Sequence, residues 1–297
     1  MSNNSKRVKN IAIIFAGGVG QRFGSEIPKQ FVKVYGKEII VHTLEVFQKH
    51  PEIDEIYIGC VAEWIPYLAE LVINNGIDKV PNGGILPGGT SGQDTIYKIL
   101  KRARKNNSDE DIVLIHDGVR PIVTAKEISE NIKSVKENGS TITCKKFTAT
   151  PVCSVDGKVV TSTIARETMF EGVAPQSFKM GHILAAHEKI RAVTNDYEGT
   201  FNGTTIVDSA SLIQAAFNEK CNIVVGNPNN MKVTNMYDFF ALLGILQASD
   251  VSNYFMAQNM YNFQPNSALV YSKQDELPNI SSTAKQKIYK IGGENCD

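Results

Sequence analysis

The chain has 297 residues, of which 42% are hydrophobic and 21% charged, so it is long enough for one large or two small domains with an ordinary buried core. Its formal net charge is zero, which argues against a general electrostatic attraction to nucleic acid or to an anionic membrane surface. A site for an anion must therefore be built locally, from a few converging cations.

The five cysteines include no Cys-x-x-Cys pair, so the pattern predicts neither a disulfide framework nor a zinc site. The apolar run Ile11–Phe15 is too short for a signal peptide or a membrane span. We therefore expect a cytoplasmic protein.

Most of the chain alternates short apolar runs with amphipathic segments, the pattern of strands followed by helices. The predicted strands are Ile11–Ala16, Glu55–Val61, Ile85-Leu86, Asp111–His116, Ser140–Lys146 and Asn222–Val225. The predicted helices are Glu38–Lys49, Glu63–Asn74, Ser91–Lys105, Ala125–Asn138, a helix near Lys179–Arg191, Val207–Phe217 and Asn235–Gln247. This order predicts an α/β fold with a doubly wound, mostly parallel, Rossmann-like sheet, which binds ligands beyond the carboxyl ends of its strands.

Two further features complete the predicted organisation. The apolar segments Val152–Ser154 and Lys158–Thr161 flank Asp156-Gly157, which predicts a hairpin with a two-residue turn. Such a projecting β-hairpin is interpreted as an arm for dimerisation. Beyond Ala248 the composition becomes polar, so we predict a main domain at 1–248 and a C-terminal extension of unknown role at 249–297.

The segment Phe15–Phe31 combines four glycines with Arg22, Pro28 and Lys29 directly after the first predicted strand. Glycine lets backbone N–H groups approach a ligand closely, so the segment predicts a loop that binds a phosphate-bearing ligand. The third glycine of a dinucleotide fingerprint and the Gly-Lys-Ser/Thr of a Walker loop are both absent, which argues against a nicotinamide oxidoreductase and a P-loop enzyme.

Three unusual loops follow predicted strands: Gly17–Lys29, Gly88–Thr90 and Asp117–Arg120. Because the carboxyl ends of parallel strands lie at one edge of a sheet, these loops are expected to form a single site. Asp117 ends a buried strand, and a carboxylate in that place is able to hold Mg²⁺ together with phosphate oxygens and water.

Several motifs occur in a fixed order along the chain. They are A-G-G-x-G-x-R-F-G with P-K-Q-F, then His116-Asp-Gly-Val-Arg-Pro121, Ala149-Thr150, Arg166, Pro175-Gln-Ser-Phe178 and Met231-Lys-Val-Thr234. In these motifs, from about Ile11 to Gln247, the chain resembles the sugar- and polyol-phosphate cytidylyltransferases. That family includes the 2-C-methylerythritol 4-phosphate enzymes of isoprenoid synthesis and the ribitol 5-phosphate enzymes of teichoic acid and capsule synthesis.

The resemblance implies transfer of CMP from CTP to a polyol phosphate, with Mg²⁺ as cofactor and with a homodimer formed through the 150–166 arm. It implies catalytic roles for Arg22, Lys29 and Lys232, and a metal-binding role for Asp117. It implies nucleotide binding by Ala16, Gly17, Gly18, Gly20, Gly88, Gly89, Thr90 and Thr95. It implies acceptor binding by Arg120, Thr150 and Arg166, with the last two offered across the dimer interface, whereas His116 is interpreted as structural.

Two positions depart from the family pattern, since Gly92 stands where an arginine is usual and Ala174 stands where threonine is frequent. Both concern the choice of acceptor. Trp64, Met169 and Phe170 resemble the ribitol 5-phosphate branch, so D-ribitol 5-phosphate is the predicted acceptor. The alternatives are the 2-C-methylerythritol 4-phosphate reaction, and a non-catalytic nucleotide-binding or assembly protein.

Overall fold

The computed structural model describes residues 7–18, 27–194, 197 and 199–259, with the backbone alone for 250–259. The chain divides into two compact units, Met1–Ala248 and Ser249–Asp297. That these units are a catalytic domain and an accessory extension stays a prediction.

From the first helix to residue 146 the described helices and strands alternate, as the apolar periodicity predicts, and beyond it several strands follow one another. The helices are α1 Ile39–Lys49, α2 Ile65–Asn74, α3 Gly92–Arg104, α4 Ala125–Asn138, α5 Met180–Arg191, α6 Ser209–Phe217 and α7 Met236–Asn259. The strands are β1 Asn10–Ala16, β2 Lys33–Val34, β3 Lys37–Glu38, β4 Glu55–Cys60, β5 Ile85–Pro87, β6 Ile112–Asp117, β7 Ser140–Lys146, β8 Val152–Cys153, β9 Ser162–Thr163, β10 Phe170–Lys179, β11 Thr200–Phe201, β12 Thr204–Thr205 and β13 Asn222–Val225. Short 3₁₀ turns lie at Lys29–Phe31, Ala62–Trp64 and Arg166–Thr168.

Among the described residues, seven strands form the central sheet in the order β13-β7-β10-β6-β1-β4-β5. All neighbouring pairs are parallel except those of β10, which runs antiparallel to β6 and β7. Side chains of β1 alternate between two cores: Ile14 packs with α1, α2 and α4, and Ile13 packs with α3, α5 and α6. The predicted doubly wound, mostly parallel fold is confirmed.

The carboxyl ends of β1, β4, β5 and β6 lie side by side. The Gly88 N–H donates to the Cys60 carbonyl at 2.7 Å, and the Gly118 N–H donates to the Phe15 carbonyl at 3.0 Å. These bonds join each loop to the end of the neighbouring strand. They bring the loops after β1, β5 and β6 to one edge, as predicted.

Strand β10 is absent from the predicted elements, although it lies in the middle of the sheet. Gly172 and Pro175 interrupt its apolar pattern, and Pro175 has no N–H to donate to a ladder. The structure accommodates them with a shift of register between Gly172 and Gln176, where β10 pairs with β7. Helix α7 also differs from the prediction, because it continues past Gln247 to Asn259.

The hairpin exists, but its predicted two-residue turn is wrong. Val152 pairs with Thr163 and Cys153 with Ser162, so the connection spans 154–161. The Asp156 carboxylate accepts hydrogen bonds from the backbone N–H groups of Lys158 at 2.9 Å and of Val159 at 3.1 Å. This local turn competes with a strand, and it keeps the segment after Gly157 out of the predicted ladder.

Candidate active site

The loop after β1 forms one wall of a cavity of about 680 Å³, called cavity A. Ala16–Gly18 and Lys29 line it, as predicted for residues that meet a phosphate-bearing ligand. Gly20 and Arg22 lie outside the described residues, so their roles stay predictions.

The loop after β5 forms the facing wall, with Gly89 and Thr90 at the surface of cavity A. The Thr90 N–H donates to the Asp94 carboxylate at 3.0 Å, and the Gly89 N–H donates to the Thr95 hydroxyl at 2.8 Å. A Cβ at Gly89 would collide with the Asp94 carboxylate, so this position requires glycine. Gly88 lies behind the loop against Thr95, and its predicted contact with a ligand stays a prediction.

The loop after β6 carries the charged centre of the site. Asp117 Oδ2 accepts a hydrogen bond from Arg120 Nε at 2.7 Å, and Asp117 Oδ1 contacts Lys232 Nζ at 2.5 Å. Burial alone would raise the pKa of Asp117, but the charges of Arg120 and Lys232 outweigh it and hold the pKa at about 2. Asp117 is therefore a carboxylate at neutral pH, paired with two cations that the chain brings from different loops.

A second cavity of about 740 Å³, called cavity B, adjoins cavity A. The residues that line both cavities are Phe15, Ser91, Gly92, Asp117 and Lys232. Arg120 lines cavity B but not cavity A. The charged centre therefore lies where the two cavities meet.

The far wall of cavity B is polar and well ordered by hydrogen bonds. Gln176 Nε2 donates to Asp208 Oδ2 at 2.9 Å, and the Ala210 N–H donates to Gln176 Oε1 at 3.0 Å. Asp208 also caps α6 by accepting from the Ser211 N–H. Thr205 and Ser209 add hydroxyl groups to the lining. Such a wall suits a ligand that carries several hydroxyl groups.

A cluster of charged and aromatic side chains joins the walls of the two cavities. Arg191 donates to Asp94 Oδ1 at 2.9 Å, and its guanidinium lies 4.6 Å from the centroid of the Tyr97 ring. Tyr197, which lines cavity B, shares a hydrogen bond of 2.8 Å with His187 Nδ1. Asp94 thus ties the Thr90 loop to the residues behind cavity B.

Thr150 and Arg166 are exposed on the arm and do not line either cavity of this chain. Arg166 Nη1 donates to the Thr148 carbonyl at 3.2 Å, which ties the base of the arm together. The predicted binding of an acceptor by these two residues therefore requires a second copy of the chain, and it stays a prediction.

Several residues that line the cavities were not among the predicted site residues. Phe15 and Gln30 line cavity A, and each is next in sequence to a predicted site residue, Ala16 or Lys29. That adjacency could have indicated that they belong to the site. Gln176 belongs to the motif Pro175-Gln-Ser-Phe178 but had no predicted role, and no motif includes Tyr197 or Asp208. These residues come together only through tertiary packing.

Two buried histidines beside the cavities give the protein a predicted acid sensitivity. Burial lowers the pKa of His116 to about 4 and that of His187 to about 3. Unfolding exposes both rings, which then take up protons near pH 6.5 that the folded protein does not bind. We expect the free energy of unfolding to fall as pH drops from about 6.5 toward 4, by roughly 3 kcal/mol for each histidine.

Denaturant titrations between about pH 7.5 and 4.5 test this dependence. His116→Gln should remove up to about one of the protons that the protein takes up on unfolding, and so should flatten the dependence. An unchanged slope in His116→Gln would contradict the assignment.

Comparison with known proteins places this arrangement in a family. The family model of 2-C-methyl-D-erythritol 4-phosphate cytidylyltransferase (IspD) matches residues 10–247. The chain belongs to this cytidylyltransferase family. It is accordingly a nucleotidyltransferase.

Relatives with two different names are similar to this cytidylyltransferase. Ribitol-5-phosphate cytidylyltransferase of Streptococcus agalactiae serotype III is 36% identical over 81% of this chain and 97% of the relative. 2-C-methyl-D-erythritol 4-phosphate cytidylyltransferase of Geotalea uraniireducens is 34% identical over 80% of this chain and 96% of the relative. The structure of 4-diphosphocytidyl-2C-methyl-D-erythritol synthase from Anaerococcus prevotii superposes with a TM-score of 0.65 at 25% identity, covering 81% of this chain and 96% of that one.

None of the helices in the described part of the cytidylyltransferase combines the length and the apolar character that a membrane span requires. The predicted cytoplasmic location stays a prediction.

Proposed function

We propose that this cytidylyltransferase transfers CMP from CTP to the phosphate of D-ribitol 5-phosphate, giving CDP-ribitol and pyrophosphate. The observation that carries the proposal is the meeting of cavities A and B at Asp117 and Lys232. Cavity A offers glycine backbone and Lys29 to a triphosphate, and cavity B offers hydroxyl and amide groups to a polyol. Substrates held in this way would bring their reacting phosphates together at the charged centre.

The reaction needs stabilisation of charge more than it needs proton transfer. A phosphate oxygen of the acceptor attacks the α-phosphorus of CTP, and the bond from that phosphorus to the bridging oxygen of the β-phosphate breaks. The electron pair leaves with pyrophosphate. Lys29 and Lys232 stabilise the negative charge on the transferred group and the leaving group, and Arg22 shares this role by family resemblance.

No general base is required, because the acceptor phosphate is already largely ionised near neutral pH. His116 fits this interpretation, since its Nε2–H donates to the Arg120 carbonyl and burial lowers its pKa to about 4. It therefore serves as a neutral support for the loop that carries Asp117.

The Asp117 carboxylate, whose two oxygens contact Arg120 and Lys232, is the side chain that would hold a magnesium ion in this site. Mg²⁺ takes one or two carboxylates and completes its shell with phosphate oxygens and water. The described residues contain no group of three His, Cys, Asp or Glu side chains suited to a metal, so the substrate phosphates must supply further ligands. When bound, the ion would neutralise charge on the triphosphate.

The choice of ribitol 5-phosphate is supported by the relatives that carry that name and by the polar wall of cavity B. The 2-C-methylerythritol 4-phosphate reaction is the second candidate, because relatives with that name are nearly as similar. Gly92 lines both cavities without a side chain, and a Cβ there would meet only the Phe15 ring, at 4.0 Å. The space beside the charged centre is therefore open to the acceptor.

A panel of acceptors tests the proposal. The full chain is incubated with CTP, Mg²⁺ and either D-ribitol 5-phosphate, 2-C-methylerythritol 4-phosphate, glycerol 3-phosphate or xylitol 5-phosphate, and pyrophosphate and the CDP product are measured. We expect kcat/KM for ribitol 5-phosphate to exceed that for the others by about tenfold or more. Turnover with 2-C-methylerythritol 4-phosphate alone would favour the second candidate. No turnover with any acceptor, despite CTP binding, would favour a non-catalytic nucleotide-binding role.

We also propose that the arm forms a homodimer. Val155, Val159 and Val160 in its loop and Val152 in β8 are all more than half exposed, at 94%, 63%, 57% and 53%. Four exposed valines on one short projection are typical of a surface that another chain covers. A second copy is the partner that the family resemblance implies.

A further inference from the structure

Gln30 joins the two ends of the glycine loop from behind. Its side chain is buried, with 1% of the residue exposed. Its Nε2 donates two hydrogen bonds, to the Ala16 carbonyl at 2.7 Å and to the Gly18 carbonyl at 3.2 Å. Because both partners are acceptors, the orientation of this amide is determined by the network.

These hydrogen bonds set the direction of the peptide groups at the start of the loop. In a planar trans peptide the N–H points opposite to the C=O, so an Ala16 carbonyl that faces Gln30 turns the Gly17 N–H away from it. A carbonyl oxygen that faced a phosphate would repel it, whereas an N–H attracts it. Gln30 thus selects the loop conformation that suits an anion.

The turn that carries Gln30 is fixed from its other side. The Phe31 ring stacks on Trp64 with centroids 4.7 Å apart, and it meets the Tyr67 ring edge-on at 5.6 Å. The Tyr67 O–H donates to Glu38 at 2.5 Å. This aromatic anchor holds the 3₁₀ turn in place, so the position of Gln30 is set before any ligand arrives.

We propose that Gln30 is a positioning residue for the triphosphate, which orients the Ala16–Gly18 backbone while its neighbour Lys29 supplies charge. The proposal rests on the proposed function, since it assumes that cavity A holds the phosphates of CTP. It assigns Gln30 no contact with the reacting atoms. Its effect is therefore expected on the binding of CTP, and not on the binding of the acceptor.

Gln30→Met keeps the length of the side chain and removes the donor. Gln48→Met, on α1, is the control, because the Gln48 side chain also bonds to backbone, accepting from the Lys79 N–H at 3.1 Å, but does not line either cavity. Calorimetry measures the binding of CTP and of cytidine, and steady-state kinetics measure KM for both substrates. We expect Gln30→Met to weaken CTP binding about 10- to 100-fold, with KM for the acceptor changed less than about threefold.

Gln30→Glu tests the role through the pH dependence of CTP binding, which would not change if Gln30 only stabilised the fold. As a carboxylate, the new side chain would face two carbonyl oxygens and the substrate phosphates, so CTP binding near pH 8 should be weaker than in Gln30→Met. Once protonated, its O–H is able to donate to one carbonyl, so binding should recover about tenfold as pH falls toward 6. The wild type and Gln48→Met provide the reference pH profiles.

The outcomes separate this proposal from the proposed function. If the wild type does not bind CTP, the proposed function fails. If the wild type binds CTP and Gln30→Met binds it equally well, the role of Gln30 is wrong. Equal losses for CTP, cytidine and the acceptor, without pH recovery in Gln30→Glu, would also contradict it and leave Gln30 as a residue of the core.

Discussion

Lys232→Met is expected to lower kcat by about 10²- to 10³-fold, the cost of losing one preorganised charge at a phosphoryl-transfer site. Lys232 Nζ lies 2.5 Å from Asp117 Oδ1 and 5.7 Å from the centroid of the Phe15 ring, and the residue lines both cavities. In the proposed reaction, this position puts its charge beside the bond to pyrophosphate, where negative charge develops as that bond breaks. Methionine keeps most of the length of the side chain but carries no charge. Single-turnover measurement with saturating CTP and acceptor isolates this step.

A lysine with an ion pair elsewhere serves as the control. Lys179 Nζ contacts Glu110 at 2.8 Å and lines neither cavity, so Lys179→Met should leave kcat within about twofold. Lys29→Ala is expected to lose at least about 10²-fold as well. A rise in KM with kcat unchanged in Lys232→Met would contradict the catalytic role, because it would show equal stabilisation of ground and transition states.

Local patterns were enough to predict the elements that carry the site. The buried runs 11–16 and 112–115 are continuous and apolar, and such runs are typical of parallel strands covered on both faces. Once these strands are parallel, their loops must lie at the same edge. The convergence of Ala16–Gly18, Gly89 and Asp117 on two adjoining cavities follows from that single fact.

The parts that could not be predicted depend on contacts between distant segments. Asp94 and Arg191 are 97 residues apart in sequence, and no local pattern indicates that they meet. The strand β10 is stable because β6 and β7 pair with both of its edges, although Gly172 and Pro175 oppose a strand locally. Tertiary pairing overrides intrinsic preference at these positions.

The structure also shows a supporting role for one residue that was predicted to bind the ligand. Thr95 was predicted to contact the nucleotide, and it lines cavity A. Its hydroxyl, however, accepts from the Gly89 N–H at 2.8 Å and donates to the Ser91 carbonyl at 2.8 Å. The hydroxyl thus supports the loop, as the Gln30 amide does on the opposite wall. Sequence alone indicates that such a residue belongs to the site, but not which of the two tasks it has.

Arg166→Ala is expected to lower kcat/KM for the acceptor by roughly 10²-fold, although Arg166 lines neither cavity of its own chain. In the proposed dimer the arm of one subunit would bring this charge to the acceptor phosphate of the partner. The argument rests on the position of Arg166 at the base of the arm and on the exposed valines beyond it. Lys158→Ala, in the loop of the same arm, removes an exposed charge and serves as the control.

Mixing two inactive variants decides whether the arm acts across an interface. Arg166→Ala has a damaged arm and an intact charged centre. Lys232→Met has an intact arm and a damaged charged centre. In a twofold-symmetric dimer, random exchange of subunits makes about half of the dimers mixed, and each mixed dimer has one complete site. We expect an equimolar mixture to regain about a quarter of the wild-type activity once the subunits have exchanged. An absence of recovery after proven exchange would show that Arg166 acts within its own chain or not at all, and a monomeric wild type in sedimentation would contradict the dimer itself.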